Sequence, residues 1–355
     1  PGACHIEVPQ DVSQATAKAK PLGIQETQPT KAPRREIERA LEVIRGSKYP
    51  LVLAGSAAVR GRASKELRRL AHRGNIPVAS TFMGKGLISW RDGLSLLSVG
   101  LQMKDYVSCG LDRADVVVAA GYDFAEYPPD LWNPDGDKRI VHVDFTPAEI
   151  DSRYIPEVEL VGDISSSLRA LSRRVERKNV DYTKSLREFL LDELASSKNM
   201  EGVPVKPQRV MYELRRVMRR SDILVSDVGA HKLWIARLYP AYEPGTVVIS
   251  NGFAAMGIAL PGAIAAKLIH PDRRVLAVCG DGGFMMNSQE LETTKRLDAP
   301  VVAVVMRDDA YGLIEWKEES LYVATPRISA SRTPTWWPTP NPSGFTGTES
   351  RRPPI

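Results

Sequence analysis

The stretch that decides the fold, residues 280–312, reads GDGGFMMNSQELETTKRLDAPVVAVVMRDDAYG. An apolar run, Val275–Cys279, ends just before Asp281, and a second run, Val301–Met306, ends just before Asp308. Short apolar runs bounded by turn residues are typical of buried strands. The stretch therefore predicts two buried strands, each followed by a turn that carries a carboxylate.

The segment between these strands predicts how they are connected. Residues 287–297, NSQELETTKRL, have the length and composition of a helix, and Asn287 or Ser288 is the expected N-cap. Because strand–helix–strand crossovers are right-handed, the two strands are expected to be parallel and close together. Their carboxyl ends then lie at the edge of the sheet where open α/β folds bind ligands.

Two carboxylates that converge at one edge predict a cation between them. Oxygen ligands suit Mg²⁺, which completes its coordination with phosphate oxygens. The backbone at Gly280, Gly282 and Gly283 allows an anion to approach the turn after Asp281 closely. The residues therefore favour a Mg²⁺-bridged diphosphate at Asp281 and Asp308. A GDGG turn alone is a weak signal, and the spacing to the second acid makes it specific.

Other nucleotide sites are not supported. The sequence contains no GxxxxGK[ST] motif of the ATP-binding type and no GxGxxG motif after a strand of the NAD-binding type. The alternative for the two carboxylates is that they are ordinary acids in solvent-exposed loops.

Apolar runs alternate with helical patterns along most of the chain, which predicts an α/β fold with parallel sheets covered by helices in two domains. We expect the first domain over residues 36–172 and the second over residues 206–320. A linker that contains a charged helix is expected over residues 173–205. Residues 14–35, polar and interrupted by three prolines, predict another linker. Residues 1–13 resemble the last strand of an upstream domain.

Composition is that of an ordinary soluble protein, with 43% hydrophobic and 26% charged residues among 355. The net charge of +5 does not indicate nucleic-acid binding, because the helical charges alternate and much of the excess lies in the last 35 residues. No apolar run is long enough to span a membrane. Three cysteines without a CxxC pair and the absence of a signal peptide predict a reducing, cytoplasmic location.

The motifs resemble those of thiamine-diphosphate (ThDP) enzymes, in which GDG is followed about 27 residues later by an Asn or Asp turn. The segments SDVGAHKLWIARLYP, ISNGFAAMGIALPGAIAA and residues 280–316 resemble the pyrophosphate-binding domain of the acetolactate synthase family. The segments TFMGKGLI, GYDFAEYPPDLWNPDGDKRIVHVD and PEVELVGDI resemble its central domain. The segment PGACHIEVPQDV resembles the end of its N-terminal pyrimidine-binding domain. The resemblance covers about residues 1–320.

This resemblance implies a set of site residues. Asp281 and Asp308 match the side-chain ligands of Mg²⁺, and Ala310 matches the position that gives it a backbone carbonyl. Met256 matches the bulky residue that forces ThDP into the bent conformation in which its own amino group activates it. The residues expected to bind the cofactor are Gly229, Ala230, His231, Ala254, Met256, Gly280, Asp281, Gly282, Gly283, Asp308, Ala310, Tyr311, Gly312 and Leu313.

Several of these residues also have ordinary structural explanations. Met256, in an apolar Gly/Ala run, is typical of core packing, and His231 is also compatible with capping a helix. Cys279 is interpreted as an inert buried thiol. Asp123 and Glu126 are compatible with solvated loop acids.

Two features resemble the catabolic, FAD-free members of the family. Biosynthetic members hold FAD beside an Arg-rich turn of the central domain, whereas the equivalent turn here, GYDFAEY at 121–127, is acidic and would repel the FAD pyrophosphate. An Arg, Arg307, precedes the second metal carboxylate. The resemblance therefore implies ThDP and Mg²⁺ as cofactors, and FAD is not expected.

The implied reaction is the joining of two pyruvates to 2-acetolactate with loss of CO₂. Another ThDP-dependent carboligase or decarboxylase of 2-oxo acids, or a non-catalytic ThDP-binding fragment, remains an alternative. The family's activating glutamate belongs to the N-terminal domain, and its active site forms between subunits. We therefore expect a fragment that is inactive by itself and a parent that is a homodimer or homotetramer.

Residues 321–355 interrupt the second domain and are rich in Pro, Ser, Thr and Arg, which predicts a disordered tail. The pair Trp336–Trp337 requires the codons TGGTGG. Reading one base upstream, the degenerate codons permit NPDLVAYAESFGFHGYRV, which resembles the segment after the metal turn in the family. We therefore hypothesise a frame slip near Leu321–Tyr322, with a tail that has neither defined fold nor function.

Overall fold

The computed structural model describes residues 5–20, 22–23, 30–100, 108–179 and 181–321. Within these ranges the chain forms two parallel sheets, and helices pack on both. The expected fold class, α/β with two parallel sheets covered by helices, is confirmed. No helix of the described part is long and apolar enough to cross a membrane.

The first half of the chain builds a six-stranded parallel sheet with the strand order β3-β2-β1-β4-β5-β6. Its strands are β1 (Pro50–Ala54), β2 (Val78–Ser80), β3 (Ser95–Ser98), β4 (Val116–Ala120), β5 (Arg139–Asp144) and β6 (Val158–Val161). All residues of β1 and β4 are buried, which explains their unbroken apolar sequences. The strand order reverses between β1 and β4, which opens a crevice at their carboxyl ends.

Helices cover this sheet on both faces. These helices are α2 (Arg34–Gly46), α3 (Ser56–Arg60), α4 (Ser64–Gly74), α5 (Ser108–Arg113) and α6 (Ile164–Arg174). A short helix before them, α1 (Gln10–Gln14), has no buried residue. In α2, Ile37, Leu41 and Ile44 recur at helical spacing and are buried against the sheet. The carboxylate of Asp163 accepts a hydrogen bond from the Ser166 amide at 2.6 Å and so caps α6.

The second half builds a four-stranded parallel sheet with the order β10-β9-β7-β8. Its strands are β7 (Ile223–Ser226), β8 (Val247–Ile249), β9 (Val275–Gly280) and β10 (Val302–Met306). The helices of this half of the chain are α7 (Lys184–Ser196), α8 (Pro207–Val217), α9 (Ala230–Leu238), α10 (Ala259–Ile269), α11 (Asp281–Met286), α12 (Glu290–Arg296) and α13 (Gly312–Leu321). Of these, α7 buries Leu190 in the apolar cluster of the first sheet. Strands β9 and β10 pair in parallel, as the sequence predicts.

Local expectations differ from the structure at three places. Residues 281–286 form helix α11, where the sequence predicts a turn, because the glycines lie at the first positions of the helix. The N-cap of α12 is Gln289, not Asn287 or Ser288. The side-chain amide of Asn287 instead donates to the Gly257 carbonyl at 2.8 Å. Described residues before α1 form no strand.

The two sheets meet at a packed junction. The Lys85 ammonium donates to the Ala236 carbonyl of α9 at 2.7 Å, and the Trp90 amide donates to the Ala241 carbonyl at 3.1 Å. The backbone of Gly86 lies so close to Glu243 that a Cβ atom would be 2.1 Å from its carbonyl oxygen. This junction fixes how the carboxyl ends of the second sheet are placed. The tail of residues 321–355 lies outside the described residues, except for Leu321 at the end of α13.

Candidate functional site

The predicted carboxylate pair lies at the carboxyl ends of two adjacent strands. Asp281 is the first residue of α11, directly after β9, and is 1% exposed. Asp308 lies two residues after β10; the residue as a whole is exposed, whereas its carboxyl group is partly buried. The two side chains are close enough to hydrogen bond with each other. Burial raises the pKa of Asp308, and the nearby Asp281 carboxylate raises it further.

The loop after β10 folds back onto the start of α11. The Asp309 amide donates to Asp281 Oδ2 at 3.1 Å, and the Ala310 amide donates to Asp308 Oδ1 at 3.4 Å. The Tyr311 ring packs on Gly282, where a Cβ atom would lie 2.5 Å from ring atom Cε1. A side chain at position 282 would therefore displace the Tyr311 ring from the helix.

Helix α9 brings three further predicted residues to the same edge. Gly229 is its N-cap, and Ala230 and His231 form its first turn. A Cβ atom at Gly280 would lie 3.4 Å from His231 Nδ1, and one at Gly312 would lie 3.8 Å from the Ala230 Cβ. The loops after β7, β9 and β10 therefore converge on one site.

His231 is buried, and its Nε2 atom has no hydrogen-bond partner among the described residues. Burial lowers the pKa of His231 to about 4, so the imidazole is neutral at pH 7. The N-cap of α9 is Gly229, and His231 is the second residue inside the helix. The capping interpretation of His231 is therefore wrong.

A third carboxylate, Asp227, is not singled out by the sequence motifs. It follows β7, is 1% exposed, and its Oδ1 atom accepts from the amides of Val228 and Gly257 at 2.7 and 2.8 Å. Burial raises the pKa of Asp227. A Cβ atom at Gly283 would lie 3.0 Å from this carboxylate. The signal that could have found Asp227 is its position, because it follows β7 as Asp281 follows β9.

Asp227 also holds the loop that carries Met256. Its bond to the Gly257 amide and the bond from Asn287 to the Gly257 carbonyl fix the loop between β8 and α10. Ala254 in this loop has a φ of 55°, in the left-handed region. Met256 is partly exposed and is not a member of the buried apolar clusters of the described residues. Core packing therefore does not explain Met256.

Leu313 lies in the first turn of α13 and is half-buried. Cys279, on β9, is fully buried, and burial raises the pKa of its thiol to about 12. The interpretation of Cys279 as a buried, unreactive thiol agrees with this position.

The acidic turn of the first sheet is only partly solvated. Glu126 is 5% exposed, and its carboxylate accepts from the amides of Ser56 and Met83, both at 3.1 Å. The solvated-acid interpretation is therefore wrong for Glu126, because these loop amides hold it inside. Asp123 instead lines a cavity of about 190 Å³ at the crevice between β1 and β4, together with Asp144, Glu149 and Arg60.

The residues of the carboxylate site fit a cation with a diphosphate. The nearby Asp281 carboxylate raises the pKa of Asp308, and a divalent cation between two such carboxylates would relieve their repulsion. The first turns of α9 and α11 and the buried Nε2 of His231 lie beside them and suit phosphate oxygens. In the described part of the chain no group of three or more His, Cys, Asp or Glu side chains is arranged around a metal position. Further ligands would therefore come from a carbonyl, as at Ala310, and from phosphate.

Comparison with known families matches both halves of the chain. Residues 37–171 match the thiamine pyrophosphate enzyme central domain, and residues 227–340 match the C-terminal TPP-binding domain. The second match contains the whole carboxylate site and continues beyond the described residues.

Individual relatives that match most of the chain are acetolactate synthases. The chain is 33% identical to an acetolactate synthase of Bacillus subtilis over 338 residues, which are 92% of this chain and 59% of the relative. It is 32% identical to a catabolic acetolactate synthase of Raoultella terrigena, over 91% of this chain and 59% of the relative. It is 30% identical to the chloroplastic acetolactate synthase 2 of Nicotiana tabacum, over 91% and 50%. The chain thus spans between half and three fifths of the length of these relatives. With both domain matches in chain order and the site inside the second, the chain belongs to the thiamine pyrophosphate enzymes and carries their central and TPP-binding domains.

Proposed function

We propose that this chain is the cofactor-binding part of a ThDP- and Mg²⁺-dependent enzyme that joins two pyruvates to 2-acetolactate and releases CO₂. The substrate assignment is supported by relatives that are named acetolactate synthases, one of them catabolic. The cofactor assignment is supported by the match to a TPP-binding domain, which contains the carboxylate pair.

The observation that carries the proposal is the convergence of Asp281 and Asp308 at the ends of adjacent parallel strands. In the proposed complex these side chains bind Mg²⁺, and the Ala310 carbonyl is its third protein ligand. The amides of Gly282 and Gly283 bind the diphosphate. The cation thereby relieves the repulsion between the two carboxylates.

The remaining residues orient the cofactor. When bound, ThDP supplies the carbon nucleophile that attacks the 2-oxo group of the substrate. Met256, whose loop is anchored by Asp227, would contact the reactive part of the cofactor. His231 is neutral at pH 7 because burial lowers its pKa to about 4, so its one N–H group would donate to a phosphate oxygen without adding charge.

Calorimetric titration with ThDP and Mg²⁺ tests the site. We expect Asp281→Asn and Asp308→Asn each to weaken Mg²⁺-dependent binding about tenfold or more, as expected when one charged interaction is lost. Asp309→Asn is the matched control, because Asp309 is in the same loop but its exposed side chain pairs with Arg307 at 2.7 Å. The backbone at Asp309 has a φ of 58°, in the left-handed region, which asparagine adopts as aspartate does.

The same titrations separate the alternatives. Binding that is unchanged in Asp281→Asn would contradict the metal site. Product assays on the full-length parent then separate the functions, because the chain by itself is expected to be inactive. Acetolactate formation from pyruvate by the parent would support the synthase, and turnover of a different 2-oxo acid would favour another ThDP-dependent carboligase or decarboxylase. Tight binding by the chain without turnover of any 2-oxo acid by the parent would favour a non-catalytic role.

The proposed assembly is a homodimer or homotetramer. Large apolar side chains are exposed near the site, with Phe253 99%, Met285 40% and Met286 47% exposed. Clusters of exposed apolar side chains often mark interaction surfaces, whereas single exposed apolar residues are ordinary. Sedimentation analysis of the chain tests the assembly, and a monomer at all concentrations would contradict self-association.

A further inference from the structure

Lys85 is a buried lysine at the junction between the two sheets. It follows the short 3₁₀ turn Phe82–Gly84 of the central domain and is 6% exposed. Its Nζ atom donates to the Ala236 carbonyl at 2.7 Å and to Ser98 Oγ at 3.2 Å. Ser98 ends β3, and Ala236 lies near the end of α9. A single side chain of the central domain therefore contacts the helix that begins at the cofactor site.

The bond to Ala236 supplies a donor that the helix itself lacks. In a continuing helix the Ala236 carbonyl would accept from the amide four residues later, but that residue is Pro240, which has no N–H group. The Tyr239 amide bonds to the Ile235 carbonyl instead, at 3.2 Å. Helix ends that are buried need partners for such carbonyls. Lys85 provides the hydrogen bond that Pro240 cannot provide.

The environment of Lys85 is polar but contains few charges. Arg237 of α9 faces it, and Glu193 of α7 lies 3.9 Å from the Arg237 Nε atom. Arg187 of α7 donates to the carbonyls of Ser95 and Trp90 at 2.7 and 2.9 Å. Ser95 and Trp90 line, together with Lys85 and Arg237, a cavity of about 20 Å³. Burial, and to a lesser extent Arg237, lowers the pKa of Lys85 to about 7.

Helix α9 connects this contact with the cofactor site. Its nine residues span about 13 Å, and its first turn contains Ala230 and His231. A helix of this length moves as one body, so an anchor at its C-terminal end also fixes the direction of its N-terminal end. A positive charge at a helix C-terminus is in addition favourable to the helix dipole.

We propose that Lys85 is a positioning residue for the cofactor site, which completes the C-terminal end of α9 from the central domain and thereby fixes Gly229, Ala230 and His231 against the cofactor diphosphate. The identity of the ligand rests on the proposed function, whereas the anchoring of α9 does not. The ammonium form donates a charged hydrogen bond to Ala236. The neutral amine donates a weaker one.

Amide hydrogen exchange tests the anchor without any cofactor. We expect Lys85→Met to speed exchange in the peptide 230–238 about threefold to tenfold at pH 7, the usual effect of one hydrogen bond. In the wild-type chain, protection of this peptide, corrected for intrinsic exchange, should decrease as the pH rises from 6 to 8.5, because Lys85 loses its proton. Lys85→Met should lack this pH dependence.

A matched lysine provides the control. Lys138 donates to the carbonyls of Asp112 and Ala114 at the end of α5, at 3.2 and 3.1 Å, and has no contact with α9. Lys138→Met removes the same kind of helix-end contact in the same domain. We expect it to leave exchange in 230–238 unchanged at every pH.

Titration with ThDP and Mg²⁺ then tests the link to the site. Lys85→Met should bind about threefold to tenfold more weakly than the wild type near pH 6, and the ratio should shrink toward pH 8.5. The ionisation of the cofactor changes both affinities equally, so it does not affect their ratio. Equal affinity of Lys85→Met and the wild type for ThDP, or unaltered hydrogen exchange in α9 of Lys85→Met, would overturn the proposal.

Two further outcomes are informative. If the wild-type chain binds no ThDP, the proposed function fails, and the exchange data still decide whether Lys85 anchors α9. If Lys85→Met does not fold, the pH dependence of α9 protection in the wild-type chain decides, and a flat profile overturns the proposal.

Discussion

Asp308 places a charge where the folded chain disfavours it. Because burial and Asp281 raise its pKa above the ordinary value of 3.8, the folded state binds more protons than the unfolded state just above that value. The stability of the metal-free chain therefore decreases as the pH rises through this window, and the ionised group costs stability at neutral pH. A partly buried carboxylate that costs stability when ionised is typical of a binding group.

Replacing Asp308 should reveal this cost. We expect Asp308→Asn to raise the midpoint of thermal unfolding in metal-free buffer at pH 7 by a few degrees, and to have little effect near pH 3, where Asp308 is protonated. The same variant should lose the stabilisation that Mg²⁺ and ThDP give the wild type. Scanning calorimetry with Asp309→Asn as the control measures both effects. A lower midpoint at pH 7 would contradict the electrostatic argument.

At the scale of single elements, helix α11 depends on the contact between Gly282 and Tyr311. An alanine normally favours a helix more than glycine does, but here its Cβ would lie 2.5 Å from the Tyr311 ring. We therefore expect Gly282→Ala to destabilise the chain by about 1–3 kcal/mol through overpacking. It should also weaken ThDP binding, because the loop after β10 is displaced.

Gly252 provides the comparison for this prediction. It lies in the loop between β8 and α10, and nothing is within 4 Å of a Cβ atom built on it. Gly252→Ala should change the free energy of unfolding by less than about 1 kcal/mol. Urea titration of both variants distinguishes them, and equal effects would show that the contact with Tyr311 is unimportant.

Elements also differ in how well the sequence predicts them. Strands β1, β4, β9 and β10 are evident because their sequences are continuously apolar, as expected of strands in the interior of a covered parallel sheet. Strand β3 is not evident, because its four residues begin and end with serine. Helix α11 has the sequence of a turn, because the two glycines after Asp281 have poor helix propensity and the contacts that require them are distant in sequence.

The candidate site shows the same division. The convergence of Asp281 and Asp308 follows from strand order and handedness, which the sequence pattern specifies. The burial of Glu126 and the anchoring of the Met256 loop by Asp227 do not follow from it. Both depend on amides of loops far away in sequence, such as those of Met83 and Gly257.

For the whole molecule, the junction determines whether the two sheets unfold together. Gly86, with a φ of 86°, packs directly on the Glu243 backbone, and Asn251 donates to the Glu126 carbonyl at 3.2 Å. The Lys232 ammonium donates in turn to Asn251 Oδ1 at 2.8 Å. The junction is therefore made of backbone contacts and buried polar bonds, which tolerate displacement poorly.

We expect Gly86→Ala to separate the two sheets. Its Cβ would lie 2.1 Å from the Glu243 carbonyl oxygen, and the left-handed backbone adds strain. Scanning calorimetry should then show two transitions in place of the single one expected for the wild type. Gly93→Ala, in the same domain with nothing within 4 Å of its Cβ, should keep one transition. A single transition in Gly86→Ala would show that the domains are coupled elsewhere.

Strand β10 lies at the edge of its sheet, and Val302 at its start is 61% exposed. Edge strands open most readily in local unfolding, yet this one leads to Asp308, while its inner neighbour leads to Asp281. In the proposed complex, a divalent ion bound by both carboxylates would connect the two outermost strands of this edge. Because a ligand stabilises the state that binds it, cofactor binding would also stabilise strand β10 against local unfolding. The rate at which a protease cleaves this edge strand would thus depend on the cofactor concentration.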